Sequence, residues 1–144
     1  MTGWRIGFAV GNQEAVNGLG GIKSNVDSGA FQAVQIAGME ALKGNQSCVR
    51  EMTEVYGRRR DVMVQGLRQT SFKVEPPKAT FYLWIRIPEG HTSAEVATKL
   101  LEEGVVVTPG NGFGDPGEGY IRMALTQKED RLKEAIKRIK AIKF

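Results

Sequence analysis

The sequence has 144 residues, with 20 Lys and Arg against 16 Asp and Glu, a formal net charge of +4, one Cys and one His. With 41% apolar and 25% charged residues the chain can bury a core, which excludes wholesale disorder, and no apolar run approaches the roughly 20 residues of a membrane-spanning helix. Residues 1–5 lack the basic-then-apolar order of a secretory signal, so a cytoplasmic protein is expected.

Residues 4–10 alternate, with Trp4, Ile6, Phe8 and Val10 on one face and Arg5, Gly7 and Ala9 on the other, which predicts a strand. Its second face is small except for one guanidinium. An Arg projecting from such a floor calls for an anion or water. Gly18, Gly20 and Gly21 then break the pattern, and residues 23–29 are polar enough for a loop leading into a helix. Over 28–43, Phe31, Val34, Ala37 and Ala41 recur at helical spacing, and Gly44 stands where a terminating glycine belongs. A longer helix is predicted over 47–69, with Val49, Met52, Val55, Val62 and Leu67 in its buried stripe.

Residues 72–75 predict a short strand, 76–78 a bend, and 80–87 a strand rich in aromatic and β-branched residues that pairs antiparallel with it. Thr92 and Glu95 have the spacing of a capping box, opening a helix that carries Val96, Leu100 and Leu101 and stops at Gly104. Residues 105–108 and 120–125 predict two more strands. Thr126 and Glu129 repeat the capping spacing before a last helix, whose Leu132, Ile136, Ile139 and Ile142 face inward. The fold class is therefore α/β, with an α+β unit from residue 72 onward: a small mixed sheet with helices on one side. The first strand stands apart from it, as though it belonged to another sheet.

Cys48 and His91, each the only residue of its type, cannot supply a disulfide framework or a zinc site of three or four nitrogen and sulfur ligands, so no metal is expected. A Cys-His nucleophilic pair rests on too little. The glycine-rich residues 109–119 fail both phosphate-loop templates, because Asp115 stands where a dinucleotide fingerprint needs its third glycine and a strand follows rather than a helix. The basic residues of the last helix are interleaved with Glu129, Asp130 and Glu134 opposite an apolar stripe, as on a solvated face, so neither nucleic acid nor membrane is expected as a partner. Arg122 lies on an otherwise apolar strand just past the glycine-rich turn. Its planar fork suits bidentate capture of a carboxylate, although composition alone favours an edge-strand Arg facing water.

Residues 2–7, Thr-Gly-Trp-Arg-Ile-Gly, resemble the segment that follows the Schiff-base lysine in fold-type I pyridoxal-phosphate aminotransferases of class I/II, where the usual pattern is Ser-Lys-x-x-Asn-Met-x-Gly-x-Arg-x-Gly. Lys23-Ser24-Asn25, Pro77-Lys78-Ala79-Thr80-Phe81-Tyr82, Thr108-Pro109-Gly110, Phe113-Gly114 and Gly117-Glu118-Gly119-Tyr120-Ile121-Arg122 continue the resemblance in order and spacing. The group of LL-diaminopimelate, alanine and aspartate aminotransferases is the most similar in flavour. The resemblance implies that Arg5 binds the phosphate of pyridoxal 5'-phosphate, that Arg122 binds the substrate α-carboxylate, and that Ser24 and Asn25 form the loop reaching the neighbouring subunit of a homodimer. It also implies three parts: 1–27 as a remnant of the large cofactor-binding domain, 28–71 as connecting helices, and 72–144 as the C-terminal small domain. Ala79 stands where many relatives have Gly.

In the family pattern the Schiff-base lysine, the ring-stacking aromatic and the Asp that pairs the pyridine nitrogen all precede the matching residues. The expectation is a C-terminal portion of an aminotransferase, acting on an amino acid and a 2-oxo acid together with its N-terminal part, with no catalytic residue of its own and no activity alone. The alternative is a standalone, non-catalytic binding module derived from the small domain.

Overall fold

The structure is a computed structural model that describes residues 3–144. The chain divides into two compact units, one ending at Val49 and the other running from Arg50 to Phe144.

In the first unit the strand expected over residues 4–10 does not form. A strand exists through the partner that takes its hydrogen bonds, and no described residue pairs with this segment. Arg5, at φ +48°, interrupts the extended run, and Trp4, Phe8 and Val10 stay exposed. Helix α1 (Gln13–Val26) occupies the region expected to be broken by glycine and then to loop. The Asn12 side chain caps it by accepting from the Ala15 amide at 3.2 Å, and Glu14 lies in its positive first turn. Those contributions offset part of the roughly 1 kcal/mol that each internal glycine costs a helix. Helix α2 (Gln32–Lys43) begins four residues later than expected, after Gly29 at φ +97°, and ends at Gly44 as its sequence predicts. Neither helix contains a buried residue.

Helix α3 (Ser47–Leu67) is buried only at its C-terminal end, at Met63, Val64, Gly66 and Leu67. Val49 and Met52, expected in the buried stripe, are about half exposed. The rest of the second unit is β1 (Lys73–Val74), β2 (Tyr82–Arg86), α4 (Ser93–Glu102), β3 (Thr108–Pro109), β4 (Tyr120–Ala124) and α5 (Glu129–Ala141). The sheet order is β1-β2-β4-β3 and every pairing is antiparallel, which corrects the expected mixed sheet. Strands β2 and β3 do run in the same direction, but β4 inserts between them, so the crossover through α4 never yields a parallel pair. Residues 105–107, expected as strand, remain outside the ladder.

Alternation along the two central strands decides where the core lies. Leu83 and Ile85 of β2 and Ile121 and Met123 of β4 are buried together with Met63 and Leu67 of α3, Val96 and Leu100 of α4, and Leu132, Ile136 and Ile139 of α5. The helices thus cover one face of the sheet, as the sequence predicts, and the opposite face stays open.

The Thr92 capping box forms in full: the Thr92 hydroxyl accepts from the Glu95 amide at 3.3 Å, and the Glu95 carboxylate accepts from the Thr92 amide at 2.8 Å. Thr126 forms no such box. Helix α5 starts at Glu129 with Lys128 at its cap, which leaves Thr126 too far upstream.

The glycine-rich connection from β3 to β4 folds into two 3-10 turns, Gly110–Phe113 and Asp115–Gly117. Two of its glycines serve close backbone approach. A Cβ on Gly110 would lie 2.0 Å from the Gly117 carbonyl oxygen, and one on Gly117 would lie 2.0 Å from that of Gly110. Glu118 then ties the connection to α4, because its carboxylate accepts from the Ser93 amide at 2.6 Å, the Ser93 hydroxyl at 2.9 Å and the Gly119 amide at 3.0 Å. The fully buried Ser93 hydroxyl in turn accepts from the Asn111 amide at 3.4 Å.

Two outcomes follow from this packing. Gly66 lets α3 approach α5, since a Cβ there would meet Ile136 Cδ1 at 2.3 Å and Cγ2 at 2.8 Å. Gly66→Ala should therefore destabilise by about 1–2 kcal/mol in urea titration, despite alanine's better helix propensity, and adding Ile136→Ala should relieve the clash. The hydrogen bonds from Ser93 and Gly119 hold the Glu118 carboxyl below the usual glutamate range. Stability from a depressed carboxyl is fully present above the unfolded-state value and is lost as pH falls through the lower folded one. Glu118→Gln should thus lower the Tm at pH 7, and the gap to the parent chain should close as pH drops below about 4.3.

Candidate functional site

The open face of the sheet follows from the same alternation that fills the core. With Ile121 and Met123 turned inward, β4 presents Tyr120, Arg122 and Ala124 on the other face, while β2 presents Tyr82, Trp84 and Arg86. Trp84 is the direct register partner of Arg122, and Arg86 that of Tyr120. Tyr82, Trp84, Arg86, Tyr120 and Arg122, with Thr80, line a cleft of about 610 Å³.

Arg122 is half-buried on the cleft floor, and its guanidinium carbon lies 4.3 Å from the Tyr82 ring centroid and 4.5 Å from that of Phe113. Trp84 stacks on Tyr120, with centroids 5.5 Å apart and planes 14° from parallel, and meets Phe113 edge-on at 5.6 Å. No carboxylate of the described residues pairs with Arg122. A guanidinium stacked on rings keeps its in-plane N–H donors for another partner. That arrangement suits a carboxylate held by two parallel hydrogen bonds. Thr80, beside the cleft, has φ +73°, an unusual conformation for a β-branched residue, and its hydroxyl accepts from the Tyr82 amide at 3.2 Å.

Of the residues singled out from sequence, Arg122 lies in this cleft. Arg5 falls in the other unit, exposed and without an ion pair among the described residues. It stands close in sequence to Gly7, where an added Cβ would meet nothing within 4 Å. Ser24 and Asn25 also belong to the first unit, in the last turn of α1 rather than in a loop, where both side chains donate to the Gly21 carbonyl at 2.9 and 2.8 Å. Met1 and Thr2, which begin the first motif, lie outside the described residues. Cys48 is exposed, and His91 packs edge-on against Phe144 at 5.7 Å. Among the described residues no group of three or more His, Cys, Asp or Glu is placed to hold a metal, and no helix is long and apolar enough to cross a membrane.

Sequence reasoning missed Tyr82 and Phe113 as neighbours of Arg122. The signal for Tyr82 was its place two residues before Trp84 on the same strand face. Phe113 carried no comparable signal, because its position depends on the fold of the glycine-rich connection.

A model of the family "Aminotransferase class I and II" matches residues 1–139. An LL-diaminopimelate aminotransferase of Syntrophobacter fumaroxidans is 53% identical over 145 residues, which cover 100% of this chain and 37% of that protein. One from Halothermothrix orenii is 52% identical over 97% of this chain and 36% of its own length. Among solved structures, a probable N-succinyldiaminopimelate aminotransferase from Thermus thermophilus is similar with a TM-score of 0.90 at 40% identity, over 97% of this chain and 38% of that one. An aromatic aminotransferase from Pyrococcus horikoshii gives a TM-score of 0.87 at 33% identity, over 97% and 39%. The chain thus spans a little over a third of the length of these relatives. On these matches, the chain belongs to the class I and II aminotransferase family, corresponding to its C-terminal part.

Proposed function

We propose that this chain is the C-terminal portion of a pyridoxal-phosphate-dependent aminotransferase that moves an amino group between an amino acid and a 2-oxo acid, with LL-diaminopimelate as the donor. The donor is taken from the names of the relatives above, and the carrying observation is Arg122. An amino donor and a 2-oxo acceptor with different side chains still have the α-carboxylate in common, so one cationic fork on the cleft floor serves both halves of the reaction.

Arg5 is assigned to the cofactor phosphate. An exposed guanidinium without an ion pair among the described residues, in a glycine-containing segment, fits a phosphate dianion. Pyridoxal phosphate, when bound, supplies an electron sink. The chain's own contribution is to bind and orient: Arg5 holds the phosphate end, and Arg122 fixes the carboxylate that sets the geometry of the reacting carbon. The Schiff-base lysine is assigned to the N-terminal part, so the 144 residues are inactive alone and hold no covalent cofactor. The parent is assigned as a cytoplasmic homodimer in which Ser24 and Asn25, at the end of α1, approach the partner subunit's site.

The test is a chimera in which this chain replaces the matching segment of the Syntrophobacter fumaroxidans enzyme. The chimera should transaminate LL-diaminopimelate, whereas the purified 144-residue chain should not. In the chimera, Arg122→Ala should raise KM for every carboxylate substrate on the order of 10- to 100-fold. Arg5→Ala should let the cofactor escape on dialysis, read from its absorbance. An unchanged KM in the Arg122 variant would remove that assignment, and turnover by the isolated chain would remove the claim of inactivity.

A further inference from the structure

A long cationic side chain on an open sheet face ordinarily samples many rotamers, and ordering it on binding costs affinity. Arg122 is held differently. β4 lies between β2 and β3, and a ring reaches Arg122 from each neighbour. Tyr82 comes from β2, and Phe113 comes from the 3-10 turn that follows β3. Phe113 is 48% exposed, so core burial does not explain its place. Its ring contacts are the Arg122 guanidinium and the edge of Trp84.

Both neighbours are uncharged, which matters for a receptor. A Glu or Asp in either position would occupy the N–H fork and cancel its charge, whereas a ring takes the π face and leaves the in-plane donors free. The Phe113 ring is itself positioned by steric and polar constraints. The Gly110–Gly117 backbone contact compacts its connection, and Glu118 fastens that connection to Ser93 at the start of α4.

We propose that Tyr82 and Phe113 are positioning residues for Arg122: the two rings fix the plane of its guanidinium and aim the fork into the cleft, so that substrate carboxylate meets a receptor already in its binding geometry. This rests on the reading of Arg122 as the carboxylate receptor. The rings act on Arg122 rather than on the reacting atoms, so their loss weakens substrate capture and leaves the chemical step untouched.

The active chimera tests this with Phe113→Leu, which keeps an apolar side chain but removes the π face, and with Phe113→Met as a second variant should leucine fail to fold. KM for both the amino donor and the 2-oxo acceptor should rise about five- to tenfold, with kcat within about twofold, because each guanidinium–ring contact is a modest and separable contribution. Phe113→Tyr should restore KM to within about twofold of the unaltered chimera, which a general packing defect would not predict. Tyr82→Leu should act in the same direction, and the two losses combined should exceed either alone. An unchanged KM in Phe113→Leu or Phe113→Met, or a rise that Phe113→Tyr does not rescue, overturns the positioning role. Arg122→Ala separates the two readings: if it leaves KM unchanged the receptor assignment itself fails, and if it raises KM while the Phe113 variants do not, only the positioning role fails.

Discussion

The register between β2 and β4 is the constraint on which the second unit depends. It places Leu83 opposite Met123 and Ile85 opposite Ile121 on the helix-covered face, and the same pairing sets Trp84 opposite Arg122 on the open one. Because side chains alternate with a period of two, a slip of one residue would turn the apolar set to water and drive a guanidinium into the core. Formation of the core and presentation of the cationic fork are therefore one event. One register sets both faces of the sheet.

The rest of the unit works to hold the edges of that pair in place. On one side, the connection from β3 returns to β4 through glycines whose backbones touch, and Glu118 fastens it where α4 begins. This carboxylate meets two amides and one hydroxyl, and through the Ser93 hydroxyl it reaches the Asn111 amide two residues before Phe113. On the other side, Thr80 takes up a left-handed backbone just ahead of Tyr82 and accepts from its amide. Both aromatic neighbours of Arg122 thus leave segments held by specific polar contacts, so the guanidinium inherits its order from backbone geometry as well as from side-chain packing.

Much of this was legible in the sequence wherever a periodic pattern carried the information. Helices α2 to α5 and the strands around Leu83 and Ile121 follow from apolar spacing, and Arg122 stood out because a guanidinium interrupts an apolar strand. Residues 4–10 alternate as well as any strand here, yet find no partner among the described residues, because alternation specifies a face and not a partner. Helix α1 was hidden by Gly18, Gly20 and Gly21, whose unfavourable propensity is offset only in part by the Asn12 cap. The capping spacing at Thr126 matched the one at Thr92 and failed, since the box also requires the helix to start at the next residue. Phe113 beside Arg122 was beyond reach from sequence, because its place depends on how two 3-10 turns fold.

The glycines between β3 and β4 also divide this run into unequal sites of tolerance. Gly110 and Gly117 each exclude a side chain because the other's carbonyl already fills the space, so replacing one cannot be rescued by replacing the other. Gly112, two residues away, has nothing within 4 Å of an added Cβ, and its φ lies outside the left-handed range. A lineage of such sequences would hold positions 110 and 117 as a fixed pair and keep glycine at 114 and 119 for their left-handed backbone, while drifting freely at 112, so a run that looks uniformly flexible carries several fixed points with one variable site among them.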